Sequence, residues 1–342
     1  MENPYSHNPD CQFWSRTVAA RHRTAFDPVV QPRFQLGAGD AIATLGSCFA
    51  QHLTRWLVQH GCNFLYTDRT IPFAEIGSVL FSANYGNVYT VAQALQLFRA
   101  ACGRQSFSDQ VWRSRSGAWI DPLRPLVPGG PFALAEDLLA SRQQLWQAVR
   151  DMLAQHQCLV FTLGLTEAWI RLEDGAVLPT APGVAGGEFR ERDYQFCNYS
   201  YPQVVDGLVE LVGLVRELNP HSRLLLTVSP VPLAATHENR HVAVSSMASK
   251  AILRAAADDL CRRFEFVDYF PSFELFYTPG LGHMYYERDL RHVTAGGVRR
   301  AMGLFQKHYL GDAPAPAPAR APGLQEIRYA QDDIVCNEDL LI

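Results

Sequence analysis

"ATLGSCFAQHL", residues 43–53, joins a short apolar run to an amphipathic one through Gly46, and sets two candidate nucleophiles, Ser47 and Cys48, side by side at the junction. Upstream, AIATLG (41–46) reads as a buried strand. Downstream, Phe49, Leu53, Trp56 and Leu57 fall at i, i+4, i+7 and i+8, one face of a helix predicted over 49–60 and stopped by Gly61. A strand running straight into a helix is the first half of a parallel crossover unit.

Three further apolar runs bounded by turn residues read as strands: CLVFTLG (158–164), RLLLTVSP (223–230) and FEFVDYF (264–270). Helical patterns fall at 136–156, at 202–219 between Pro202 and Asn219-Pro220, at 246–263, and at 295–309 behind a Thr294 N-cap. This alternation predicts an α/β fold, a three-layer α/β/α sandwich with a parallel central sheet. Residues 67–135, rich in Gly, Pro, Ser and aromatics, are predicted as loops and short elements laid over that sheet. One domain is expected over 1–311. Beyond it, DAPAPAPARAPG reads as a Pro/Ala linker, and QEIRYAQDDIVCNEDLLI as an acidic C-terminal tail (312–342 together) that is either a frayed end or a docking segment for a partner protein.

The 342 residues carry a formal net charge of −4 and no Lys/Arg block, so nucleic acid and anionic membrane surfaces are not expected partners. The first residues lack a basic region followed by an apolar one, and no apolar run reaches the ~18 residues of a membrane span. A soluble, cytoplasmic protein is expected. Eight scattered cysteines without a CxxC pair suggest neither a zinc ribbon nor a disulfide framework.

In an open parallel sheet, ligands bind beyond the carboxyl ends of the strands. The residues there are Gly46-Ser47-Cys48 after the first strand, Thr166 and Glu167 in TLGLTEAW after the second, and SPVPL after the third; ERDLRHVT, with Asp289 and His292 three apart, precedes the last helix. A hydroxyl or thiol at a strand-to-helix turn and a late Asp-x-x-His are the parts of a nucleophile, a general base and an orienting carboxylate.

LGSCFAQHL, NYGNVYT (84–90), TLGLTEAW (163–169), TVSPVPL (227–233), YFPSFEL (269–275) and ERDLRHVT (287–294), in this order, resemble the GSCFA-domain family, a relative of the SGNH/GDSL hydrolases. The resemblance covers about residues 3 to 310. It implies an SGNH-like sandwich with flavodoxin-like layering and a four-block site. Cys48 falls in the nucleophile's place, Gly86 and the neighbouring Asn87 at the second block, and Gly164-Leu165-Thr166-Glu167 at the third. Asp289 and His292 match the last. Cysteine replaces the SGNH serine and Thr166 the SGNH amide donor, which shifts the oxyanion hole toward backbone N–H groups of Cys48 and Gly86.

The residues themselves also favour Cys48. Ser47 is placed to cap the helix through its hydroxyl, whereas Cys48 in the first turn feels the positive helix end and His292, both favouring a thiolate. The plainer reading makes Cys48 a buried small residue in a tight turn. Tyr85 and Tyr89 are pocket-lining or core aromatics, and Glu167 either supports His292 or caps a loop.

HENRH at 237–241 matches the H-E-x-x-H zinc signature, which requires both histidines on one helix face; here it follows SPVPLAAT in a polar loop, and no metal is expected. QLGAGDA (35–41) precedes the first strand and lacks a Walker lysine, so no phosphate site or other cofactor is implied. The expectation is an acyl-transfer enzyme, an esterase, thioesterase or acyltransferase, with a small-molecule or glycan acyl substrate and acyl thioesters among its donors. The alternative is a binding or scaffolding protein that keeps the fold without the activity.

Overall fold

In the computed structural model, which describes residues 3–20, 22–68, 81–279, 282–311 and 334–341, the opening stretch folds as predicted. Strand β1 (Ile42–Gly46) turns at Ser47 into helix α1 (Cys48–Gln59). Next come α2 (Val91–Ala101), the short antiparallel pair β2 (Trp112–Arg113) and β3 (Trp119–Ile120), and α3 (Ala135–Gln155). β4 (Cys158–Leu163) leads to β5 (Glu167–Arg171), β6 (Val177–Leu178) and β7 (Tyr194–Asn198). Then follow α4 (Tyr201–Leu218), β8 (Arg223–Val228), α5 (Val242–Arg263), β9 (Val267–Tyr269), α6 (Ser272–Tyr277) and α7 (Ala295–Phe305).

The central sheet has the order β1-β4-β8-β9, every pair parallel. Alternate residues face opposite ways and sort the apolar core in two. Ala43, Leu45, Phe161, Leu163 and Leu226 pack with α2 to α5, while Ile42, Cys158, Val160 and Leu225 pack with α1, α6 and α7. The chain is a three-layer α/β/α sandwich. Each fully buried Leu in these layers stabilises the fold by about 1.5–3 kcal/mol.

Two expectations need correction. Part of 67–135 is not loop: α2 lies in it, capped by Thr90, whose hydroxyl accepts from Gln93 N, and packed between α3 and α4; the remainder of that stretch over 69–80 is outside the described residues. After β4, Glu167–Arg171 forms the middle strand of a small antiparallel sheet, β6-β5-β7. Finally, the end of the chain is not frayed. Cys336 joins the α1/α7 core, and Asn337 and Glu338 are buried with it. The linker stretch 312–333 lies outside the described residues. Among those described, no helix is long and apolar enough to cross a membrane.

Candidate active site

The carboxyl ends of β1 and β4 approach each other so closely that only glycine fits. Gly46 has φ +143°, and a Cβ there would lie 2.4 Å from the Thr162 carbonyl; one at Gly164 would lie 2.9 Å from the Tyr89 carbonyl and 3.0 Å from the Ser47 Cβ. These two glycines let the chain turn from β1 into α1 and bring the Tyr89 and Gly164 backbones against Ser47.

Ser47 occupies the N-cap position with extended backbone, yet its hydroxyl makes no cap bond. It is buried without a hydrogen-bond partner among the described residues. The expected cap is therefore absent. Cys48 opens the helix and is 4% exposed. The neighbouring Cys336 thiol, burial and the Glu338 charge push Cys48 well above the ordinary thiol range. Cys336 shifts the opposite way, below the ordinary thiol range, drawn down by the Cys48 thiol and by the Arg291 guanidinium 3.4 Å from its sulfur. The surroundings of Cys48 thus oppose the thiolate that the helix end was expected to favour.

Asp289 and His292 are joined as the Asp-x-x-His spacing predicts, Asp289 Oδ2 meeting His292 Nδ1 in a short hydrogen bond. Between them Leu290 adopts φ 57°, a left-handed residue that folds His292 back over Asp289. Asp289 also accepts from the N–H groups of Arg291 and His292. The imidazole is half exposed; its Nε2 faces Asp339 Oδ2 at 3.4 Å and makes no hydrogen bond to Cys48. Partial burial acts to lower the imidazole, but the Asp289 bond and the Asp339 charge outweigh it and raise its pKa above the usual value.

The remaining expected residues divide. Asn87 faces the Cys48 cleft, its amide donating to the Val335 carbonyl at 2.8 Å and to Asn337 Oδ1 at 2.9 Å. Tyr89 also lies there, its hydroxyl 3.7 Å from Cys336 Sγ. Gly86 does not: the side where a Cβ would stand backs onto Val127. Tyr85 is core, bonded to the Thr44 carbonyl. Thr166 donates its hydroxyl to Asn198 Oδ1 at 2.7 Å and its N–H to Ser249, so its oxygen serves the small sheet and not an oxyanion. Glu167 accepts from the Thr236 hydroxyl and the His237 N–H, the loop-capping alternative and not a support for His292.

Neither discarded motif forms a site. His237 meets Trp169 edge-on and Phe196 at a tilt in a loop, while His241 sits at the N-cap of α5 and accepts from Ala243 N, so the two share no helix face. In QLGAGDA, Asp40 accepts from the Gly37 N–H and pairs with Arg223, a self-closed turn before β1.

Three buried polar residues around Cys48 went unread in the sequence. Gln51, one turn into α1, is fully buried and binds Val335 and Asn87. Arg291, inside the Asp-x-x-His itself, reaches Cys336 Sγ at 3.4 Å and Glu338 at 3.1 Å and forms a short ion pair with Asp339. Lys250 on α5 is fully buried and donates to the Gly164 carbonyl at 2.8 Å; burial lowers its pKa to about 8, the Glu338 charge partly opposing this. Glu338 is raised to about 7 by burial and by Cys336. Beside this cluster opens a cavity of about 210 Å³, lined by Leu165, Trp169, Phe196, Leu233 and His237, with Glu338 and Leu341 on its wall.

A buried thiol at a strand-to-helix turn, beside a loop carrying an Asp–His pair, on a parallel α/β/α sandwich defines a class of protein with a site at the sheet's carboxyl edge. The model of the GSCFA family matches residues 41–305, from the start of β1 to the end of α7, and the chain belongs to that family. No curated protein matches it significantly.

Proposed function

We propose that this chain is an acyl-transfer enzyme of esterase, thioesterase or acyltransferase type that works through a thioester on Cys48, in the manner of the SGNH/GDSL hydrolases that the sequence resembles. The observation that carries the reading is positional. Cys48 is the first residue of α1 at the carboxyl end of β1, and the loop that brings Arg291 to the thiol pair carries Asp289 and His292 on either side of it.

Cys48 Sγ attacks an ester or thioester carbonyl carbon as His292 Nε2 takes the thiol proton. The imidazolium, held by Asp289, returns that proton to the departing oxygen or sulfur as the carbon–heteroatom bond breaks. Asn87, Tyr89 and Arg291 offer donors to the oxyanion, in place of Thr166. The neighbouring cavity is sized for a short acyl chain. Water or a hydroxyl then attacks the thioester carbonyl and gives its proton to His292, and the carbon–sulfur bond breaks as that proton returns to Cys48 Sγ. A thioester donor suits a thiol nucleophile because sulfur-to-sulfur acyl exchange is nearly balanced in energy.

A binding role without turnover has one observation in its favour, the commitment of Thr166 to Asn198. A panel of esters and acyl thioesters separates the two. The enzyme reading expects turnover that falls by on the order of 100- to 10,000-fold in His292→Ala, which removes a partly exposed side chain and leaves the fold intact. Equal turnover by wild type and His292→Ala would remove His292 from the chemistry.

A further inference from the structure

Gln51, Asn87 and Tyr89, which line the Cys48 cleft, are engaged by a peptide, the end of the chain itself. The Gln51 carboxamide pairs with both backbone groups of Val335, accepting from its N–H at 3.0 Å and donating to its carbonyl at 2.6 Å, as a neighbouring strand would. Asn87, fixed by the same Gln51 amide, adds a second donor to that carbonyl. The Tyr89 hydroxyl accepts from the Asn337 N–H at 3.0 Å, and the Ala234 N–H donates to Glu338 Oε1 at 3.1 Å.

Charge matches as well. Arg291 is 7% exposed, and its ion-pair partners are Glu338 and Asp339. A guanidinium at that depth is costly without counter-charges, so the cleft calls for an acidic occupant. Gln51 and Asn87 similarly bury amides that need backbone partners. The Cys336 sulfur lies 3.7 Å from the Tyr89 hydroxyl and 3.4 Å from Arg291, two of the donors assigned above to the oxyanion.

The geometry points to a peptide-binding cleft, one that pairs with the backbone of one residue and reads acidic side chains on the 3-10 turn after it, whose built-in ligand is the chain's own segment Val335–Asp339 and whose occupation withholds Cys48 and His292 from substrate. Peptide binding stands on the contacts alone; that it blocks catalysis rests on the function proposed above. Because the ligand is part of the same chain, docking is intramolecular, and modest affinity keeps the cleft filled.

The test uses the full chain carrying Glu338→Lys and Asp339→Lys, which sets positive charge against Arg291, with alkylation of Cys48 by iodoacetamide followed by peptide mass spectrometry. Cys48 should react roughly tenfold faster or more than in wild type, since the reagent reaches only the undocked population. A synthetic peptide of residues 334–341 added to the variant should restore protection, and the same peptide should fail on a variant that also carries Gln51→Ala. Unchanged Cys48 reactivity in a folded variant overturns the proposal. Should the double variant not fold, wild type answers directly under dilute hydrogen peroxide. The two thiols give up two protons and two electrons to the peroxide, forming one Cys48–Cys336 disulfide and two waters. That crosslink is the expected product, and a Cys336 alkylated freely with no crosslink is the contrary one. Faster Cys48 alkylation in the variant without any gain in ester or thioester turnover keeps the cleft and its peptide but rejects the acyl-transfer reading.

Discussion

The thiols of Cys48, first residue of α1, and Cys336, near the end of the chain, shift each other in opposite directions, Cys48 upward and Cys336 downward. The Cys336 neighbour and burial together favour the protonated form of Cys48. Cys336→Ser removes that ionisable neighbour while keeping a hydroxyl of similar size. The Cys48 pKa should therefore fall, and the pH profile of its alkylation should move to lower pH. A profile that stays in place would mean that burial alone governs Cys48.

His292 offers a second titration. Its raised pKa reflects a charged form favoured by Asp289 and Asp339 against the pull of burial. Asp339→Asn should lower it, and Asp289→Asn should lower it further, as followed by the imidazole proton resonances. Since the folded value lies above the ordinary 6.5, any stability from these contacts is fully present below pH 6.5 and is lost as pH rises through the raised value. Asp339→Asn should flatten that part of the stability–pH curve; an unchanged imidazole titration would show that Asp339 does not act on it.

Ser47→Ala tests the missing cap. A serine that caps a helix costs about 0.5–2 kcal/mol when replaced by alanine. Here the hydroxyl is buried and unpartnered, so its removal relieves a desolvated group. Urea unfolding should show Ser47→Ala at or above wild-type stability. A loss of about 1 kcal/mol or more would restore the capping role.

Much of this was legible. The strand and helix around Gly46 follow from apolar runs and a 3.6-residue period, and the close approach at that glycine explains why the motif begins with it. The Asp289–His292 pair could be read because both residues lie on one short loop. α2 was missed although Thr90 and Gln93 spell its cap, because buried Gln93 and Gln96 interrupt the apolar face. Gln96 in fact pairs with both backbone groups of Val177, N–H and carbonyl, as Gln51 does with Val335. Buried amides that substitute for strand partners look like surface residues in a sequence. The tail was misread for a related reason: Val335 to Asp339 are too few and too polar to predict packing by themselves, and their partners Gln51, Asn87 and Arg291 lie far away along the chain.

Gly46→Ala should fail where most surface changes would pass. The added Cβ meets the Thr162 carbonyl at 2.4 Å, a backbone atom in the central sheet, and φ +143° is strained for any side chain. A loss of at least about 3 kcal/mol, or insoluble protein, is expected. Near-wild-type melting would show that β1 and β4 separate more easily than their register implies.

The most direct measurement of the acyl-transfer account is the site of the covalent intermediate. The full chain carrying Cys336→Ser, which leaves one thiol in the cleft, is incubated with an activated ester or acyl thioester, quenched in acid and mapped by peptide mass spectrometry. One acyl group should appear on the peptide containing residues 47 and 48, fragmentation should place it on Cys48, and Cys48→Ala should lose both adduct and turnover. An adduct on Ser47, or turnover in Cys48→Ala at the rate of its parent, would contradict the account.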